Sequence, residues 1–217
     1  MSALLSCSGV GKRFGGVQAL SEVGLDIHEG EILGLIGPNG AGKTTLFNIL
    51  TGFYACDAGD IRFDKAVLKG RAPHQIVECG IARTFQNIRL FSNLSAIENV
   101  MIGRHSRTRA GVLGAIFRGR AAREEEAGSE ARALALLRFV GLEARANDAA
   151  GSLPYGDQRR LEIARAMATE PRLLALDEPA AGMNATETAA LMSLLRAIRE
   201  RGITLLLIEH DMRLVMN

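Results

Sequence analysis

The chain has 217 residues, is 47% apolar and carries a net charge of +2, which allows one α/β domain with a subdomain and is too mild to argue for nucleic acid. Cys7, Cys56 and Cys79 are scattered and form no C-x-x-C, so neither a zinc site nor a disulfide framework is indicated, which suits a reducing compartment. The longest apolar runs, such as Leu205-Leu206-Leu207-Ile208, are far too short to span a bilayer, and Lys12 and Arg13 follow rather than precede a weak apolar stretch, so no signal peptide is read.

Residues 1–30 read as β-rich. Leu4-Leu5-Ser6-Cys7 and Leu25-Asp26-Ile27 are strand-like, with Gly15-Gly16 as a turn. Ile32-Leu33-Gly34-Leu35-Ile36 reads as a short buried strand, and a helix follows over Thr45-Leu46-Phe47-Asn48-Ile49-Leu50. Between them lies Gly37-Pro38-Asn39-Gly40-Ala41-Gly42-Lys43-Thr44, which fits G-x-x-x-x-G-K-[ST], a phosphate-binding P-loop. Glycines let the backbone wrap a phosphate chain with its N–H groups, and the new helix points its positive end at the same anion. Lys43 is placed to reach the β- and γ-phosphates and the Thr44 hydroxyl to hold Mg²⁺, with Thr45 next in the first turn. The bland alternative, a Gly-rich turn that binds nothing, is disfavoured by the strand before it and the helix after it.

Gly59-Asp60-Ile61-Arg62-Phe63 and Ile81-Ala82-Arg83-Thr84-Phe85 read as further short strands. From about Asn87 to Ser152 the texture is helical, and Ala121 to Val140 forms an amphipathic helix with Leu134, Leu137 and Val140. Arg104 to Arg123 is Arg- and Gly-rich with little periodicity: a solvated surface excursion, or a contact for acidic lipid or a partner. Thereafter strands and helices alternate, with a helix over 157–168, a strand over 173–177, a helix over 185–200 and a strand over 203–208, which implies a parallel sheet. Leu173-Leu174-Ala175-Leu176-Asp177-Glu178 is an apolar strand ending in two acids, the Walker B pattern. There Asp177 helps hold Mg²⁺ and Glu178 polarises the attacking water as general base.

Leu153-Pro154-Tyr155-Gly156-Asp157-Gln158, followed by Arg159 to Met167, resembles the signature of ATP-binding cassette (ABC) proteins, whose common form is L-S-G-G-Q and a helix. Other family elements stand in order: Gln86 in Thr84-Phe85-Gln86-Asn87 is similar to the Q-loop glutamine, Ala180 to Asn184 to the D-loop, and His210 in Ile208-Glu209-His210-Asp211 to the switch histidine. Phe14 is placed like the aromatic that stacks on adenine. Arg83 to Phe91, Tyr155 to Arg165, Asp177 to Asn184 and Leu206 to Met212 further resemble LivG-type subunits of branched-chain amino-acid importers, and the likeness covers essentially the whole chain.

The resemblance implies an α/β P-loop NTPase fold: a mostly parallel core sheet with an N-terminal antiparallel β subdomain, over 1–86 and 153–217, and an inserted helical subdomain over about 87–152. It implies an ATPase with ATP and Mg²⁺. Glu178, His210 and Gln86 would serve hydrolysis, and Thr44, Gln86 and Asp177 would serve the metal. The partners implied are a second cassette (LivF-like or an identical copy), two transmembrane permease subunits and, indirectly, a periplasmic solute-binding protein, with the chain on the cytoplasmic face of the inner membrane. The transported solute is not written in the chain, and other amino acids, amides or urea remain alternatives to the branched-chain set. A soluble ABC protein working on ribosomes or DNA is disfavoured, since those carry two cassettes or long coiled-coil arms. A regulatory subunit that binds ATP but scarcely turns it over is motivated by the altered signature and opposed by the intact Lys43, Asp177 and Glu178. A P-loop kinase or GTPase needs no signature, Q-loop and switch histidine together.

The chain departs from the family pattern in two places. Pro154 and Tyr155 replace the signature serine and second glycine, and Asp157 stands where Gln is usual. In that family the signature serves the γ-phosphate of ATP on the partner cassette. Proline offers no hydroxyl, although it suits the first turn of a helix; the lost bond to a charged group is worth roughly 10–100-fold in affinity. Asp157 brings a negative charge that must turn away or pair with Arg159 or Arg160. Gly156 keeps the usual residue. In a heterodimer the two composite ATP sites would therefore be unequal. The second departure is the end at Asn217, seven residues after His210 and inside a helix-like Met212 to Met216 without a C-cap signal, which reads as a truncated chain.

Overall fold

The structure, a computed structural model, describes residues 3–105 and 120–209. Strand β1 (Leu5–Phe14) turns Leu5, Cys7 and Val10 inward. The step from Cys7 to Val10 is three residues rather than two because the register slips there, the mark of a β-bulge. β1 pairs antiparallel with β2 (Val17–Ile27) across the predicted Gly15-Gly16 turn, and on its other edge with β4 (Ala58–Phe63), which pairs with the short β5 (Ala66–Val67). The order in this sheet is β2-β1-β4-β5.

The second sheet is parallel, in the order β3-β8-β7-β6, built from β3 (Ile32–Ile36), β6 (Ile81–Arg83), β7 (Leu173–Asp177) and β8 (Thr204–Glu209). Every residue of β7 and β8 is buried, as expected for central parallel strands covered on both faces. The register sets Ile36 opposite Glu209 and Asp177 opposite Ile208, so the carboxyl ends of these strands finish together at one edge. Phe47 and Leu50 of α1 (Lys43–Leu50) bury in one apolar cluster with Ile61 and Phe63 of β4 and Leu206 and Ile208 of β8. Burying each such side chain contributes about 1.5–3 kcal/mol.

The remaining helices are α2 (Pro73–Cys79), α3 (Ala96–Arg104), α4 (Arg120–Phe139), α5 (Tyr155–Met167) and α6 (Ala185–Glu200). By packing the chain divides into two units, Met1–Gln86 with Pro171–Asn217, and Asn87–Glu170. In the second unit α3 packs on both α4 and α5. The contact with α5 is so close that a Cβ on Gly103 would lie 2.2 Å from the Arg165 carbonyl oxygen. This packing groups α5 with the helices and sets the boundary after Glu170, whereas the alternation of elements in the sequence puts it after residue 152. Among the described residues no helix is long and apolar enough to cross a membrane. Most of the Arg- and Gly-rich excursion, residues 106–119, and the helix-like end, 210–217, lie outside the described residues.

Candidate nucleotide site

The glycine-rich loop leaves β3 at Ile36 and enters α1 at Lys43, two residues earlier than the sequence suggests. Gly42 explains the early start. It is the N-cap, in the left-handed region at φ 84°, and a Cβ there would meet Leu20 Cδ2 at 2.7 Å and the Ala19 oxygen at 2.8 Å. Both the backbone conformation and the space therefore call for glycine. Pro38, Asn39, Gly40 and Ala41 are exposed around a turn closed by Ala41 N–H donating to the Pro38 oxygen at 3.3 Å.

No side chain caps α1 and no acid stands in its first turn. The helix thus presents main-chain N–H groups and the positive end of its dipole without a competing anion of its own, a fit for phosphate. Lys43 Nζ donates to the Gly37 oxygen at 2.6 Å and the Pro38 oxygen at 2.9 Å, so the ammonium ties the loop across its own mouth. An ammonium has three donors. Thr44 is exposed and Thr45 half-buried beside it.

Two strands away, Asp177 ends β7 with only 4% exposure. Glu178 follows in the left-handed region at φ 46°, held by its N–H donating to the Ile208 oxygen of β8 at 3.0 Å. For a residue with a side chain that conformation costs about 1–3 kcal/mol, which the surrounding sheet sustains. Gln86 Nε2 donates to Glu178 Oε2 at 2.8 Å, bringing together two residues 92 apart in sequence. The Arg83 side chain, which the sequence did not single out, stands 3.9 Å from Asp177. Its signal was a lone charge inside an otherwise apolar short strand. Also unread in the sequence, the buried Glu209 at the end of β8 accepts from Ala180 N–H at 3.3 Å and so anchors the 180–184 turn. That turn ends at Asn184, which caps α6 reciprocally with Glu187.

The oxygen donors here are few: the Thr44 hydroxyl, the Gln86 amide oxygen and the carboxylates of Asp177 and Glu178. Among the described residues no group of three or more His, Cys, Asp or Glu could hold a metal alone. That set fits Mg²⁺, which takes much of its shell from phosphate oxygens and water rather than from a protein cage.

Phe14 is 44% exposed and meets Tyr54 edge-on at 5.3 Å, with Lys12 Nζ 5.4 Å from its ring centre. Lys12 in turn binds Asp57 at 2.8 Å, and that bond with the Arg13 N–H holds the Asp57 carboxyl below its usual range. His210 lies outside the described residues.

The signature segment belongs to the second unit. Pro154 is the N-cap of α5 rather than a residue of its first turn: its φ of −54° and ψ of 152° are non-helical, and its carbonyl accepts from the N–H groups of Asp157 and Gln158, each at 2.9 Å. No side chain caps this helix either. Gly156 is buried and Tyr155 exposed. Asp157 is buried and paired on both oxygens, one with Arg160 and the other with Arg145 NH1 at 3.5 Å. Arg160 was one of the two expected partners; Arg145 was not. Arg159 is fully buried and pairs elsewhere, with Glu162 at 3.0 Å and the Tyr155 hydroxyl at 3.1 Å.

The sequence profile of the family described as ABC transporter matches residues 20–181. The chain is 47% identical over 215 residues to the high-affinity branched-chain amino acid transport ATP-binding protein BraF of Pseudomonas aeruginosa, covering 99% of this chain and 84% of that one. It is 47% identical over 214 residues to the corresponding protein LivG of Salmonella typhimurium, with 98% and 84% covered. A crystal structure of the ADP conformation of an ATP-binding cassette of an ABC transporter superposes with a TM-score of 0.85 at 31% identity, over 99% of this chain and 84% of that one. A glycine-rich loop and two strand-end acids on one edge of a parallel sheet, with these likenesses over nearly the whole length, place the chain in the ABC transporter family.

Proposed function

We propose that this chain binds and hydrolyses ATP as the cassette subunit of an importer for branched-chain amino acids. The observation that supports this best is the convergence at one sheet edge of the 37–44 loop, Asp177, Glu178 and Gln86, with Gln86 bonded to Glu178 at 2.8 Å. In α/β sheets, ligands bind at the carboxyl ends of the strands. The loop N–H groups and Lys43 cradle the phosphates, Phe14 stacks on adenine, and Thr44, Asp177 and Gln86 hold Mg²⁺. That ion, when bound, would supply positive charge against the phosphate oxygens. Glu178 accepts a proton from the attacking water, and Gln86 sets the direction of its carboxylate. His210 contacts the γ-phosphate.

The segment Pro154 to Asp157 serves the ATP of a second cassette, either a LivF-like partner or another copy. It does so through the α5 terminus, with Asp157 neutralised by two arginines instead of repelling the phosphate. Closure of the cassette pair drives two permease subunits fed by a periplasmic binding protein, which places the chain on the cytoplasmic face of the membrane. The solute assignment follows from the names of BraF and LivG.

The test is co-expression with candidate permease subunits and a partner cassette in proteoliposomes. Leucine, isoleucine or valine uptake driven by internal or external ATP, according to orientation, supports the reading. ATP-driven uptake of only another amino acid, an amide or urea moves the solute while keeping the ATPase; no ATP hydrolysis with any partner refutes it.

A further inference from the structure

We propose that Arg83 is a positioning residue for the divalent cation, locking the strand end that carries Asp177 to the helix face that carries Thr44. This rests on the nucleotide reading above. β6 ends at Arg83, three strands from β3, and its register partner on β7 is Ala175, two residues before Asp177. The guanidinium reaches in two directions. One terminal nitrogen stands 3.9 Å from Asp177 Oδ2, both side chains being almost buried at 11% and 6% exposure. The other donates to Asn48 Oδ1 at 2.9 Å and Thr51 Oγ1 at 2.8 Å, both on or capping α1. Thr44, Asn48 and Thr51 are spaced i, i+4, i+7 and so share one face of that helix turn.

Three rings enclose the same cation. Its central carbon is 4.7 Å from the Phe47 ring centre, 4.6 Å from that of Phe53 and 4.6 Å from that of Phe85. Phe47 comes from α1 and Phe85 stands one residue before Gln86. A planar guanidinium can stack on rings and fork its hydrogen bonds at once; an ammonium is a point charge and cannot do both. Arg83 is therefore the shared joint of α1, the end of β7 and the approach to Gln86, the three places that supply oxygen ligands. Removing partners that orient metal ligands typically costs about 10–100-fold in metal affinity.

The experiment measures binding of a fluorescent adenine nucleotide to the chain in EDTA and in saturating Mg²⁺. The wild-type chain binds more tightly with Mg²⁺. Arg83→Met is expected to lose about 10–100-fold of that Mg²⁺-dependent gain while its affinity in EDTA stays within about twofold. Arg83→Lys loses most of the same gain. Phe53→Leu, a change at a half-exposed ring that removes one stacking surface, is expected to lose about 2–5-fold of it. Equal weakening in EDTA and Mg²⁺, or an unchanged gain, overturns the proposal and leaves Arg83 as packing for α1. Where Arg83→Met does not fold, the Phe53→Leu result decides alone. A wild-type chain with no nucleotide affinity in either buffer refutes the nucleotide reading itself, and so is distinguishable.

Discussion

Glu162→Gln should be among the most damaging single changes outside the nucleotide loop. Glu162 is 1% exposed and carries one oxygen to Arg159 NH1 at 3.0 Å and the other to the N–H of Arg89 at 3.3 Å. Its charge also supports ionised Arg165, whose guanidinium burial pulls toward the neutral form. Neutralising Glu162 therefore leaves the fully buried Arg159 and the half-buried Arg165 short of a counter-charge. Breaking a buried pair from one side costs about 3–5 kcal/mol. At about 2–4 °C per kcal/mol for a chain of this size, the melting temperature should fall by roughly 6–20 °C. Arg159→Met is milder, about 2 kcal/mol, because Glu162 keeps Arg89 and Arg165, while Tyr155 loses a donor it can replace with water. Urea unfolding of both single variants and the Arg159→Met/Glu162→Gln double variant should show coupling of about 1–3 kcal/mol. Additivity within about 0.5 kcal/mol, or a larger loss from Arg159→Met than from Glu162→Gln, would refute the assignment of Glu162 as the shared counter-charge.

Gly42→Ala should cost about 2–4 kcal/mol in urea unfolding and abolish measurable nucleotide binding, since its methyl would meet Leu20 at 2.7 Å in a left-handed backbone; unchanged stability would contradict that geometry. Burial, with Asp26 and Cys56 nearby, pushes the Cys7 thiol from its ordinary 9.0 up to about 12. The unfolded thiol ionises first, so the stability contributed by the protonated folded form is intact below about pH 9 and is lost progressively up to about pH 12. A plot of unfolding free energy against pH that stays flat through that window in the wild type, or falls equally in Cys7→Ala, would contradict it. In the native protein at pH 8 a thiol reagent should modify Cys79, which is partly exposed, far faster than buried Cys7 and Cys56.

The sequence made the elements of the candidate site legible because each depends on local chemistry. The loop needs glycines at fixed offsets, and β7 is an apolar run that ends in an acid. The helix over 185–200 was readable to the residue, and in the structure Asn184 and Glu187 cap it reciprocally. What escaped depends on contacts between distant segments. α2 is only seven residues long and has too little periodicity to register. The start of α1 moved to Lys43 because Gly42 caps it in a conformation that no pattern records. Asp157 could be seen to need a partner, but Arg145 becomes one only when the Glu143–Arg145 turn folds beside α5. Arg83 looked like a strand residue because its acceptors, Asn48 and Thr51, and its partner Asp177 come from two stretches of chain distant from it in sequence.

The claim that this chain turns over ATP at its own strand end is tested most directly by Glu178→Gln. Gln keeps the size of the side chain and an oxygen facing Gln86 but cannot take a proton. General-base catalysis contributes about 10²–10⁴-fold, so ATP hydrolysis by the assembled protein should fall by that factor at this site while ATP affinity stays within about threefold. Hydrolysis within about twofold of wild type, measured with the partner cassette's own site inactivated, would contradict the account.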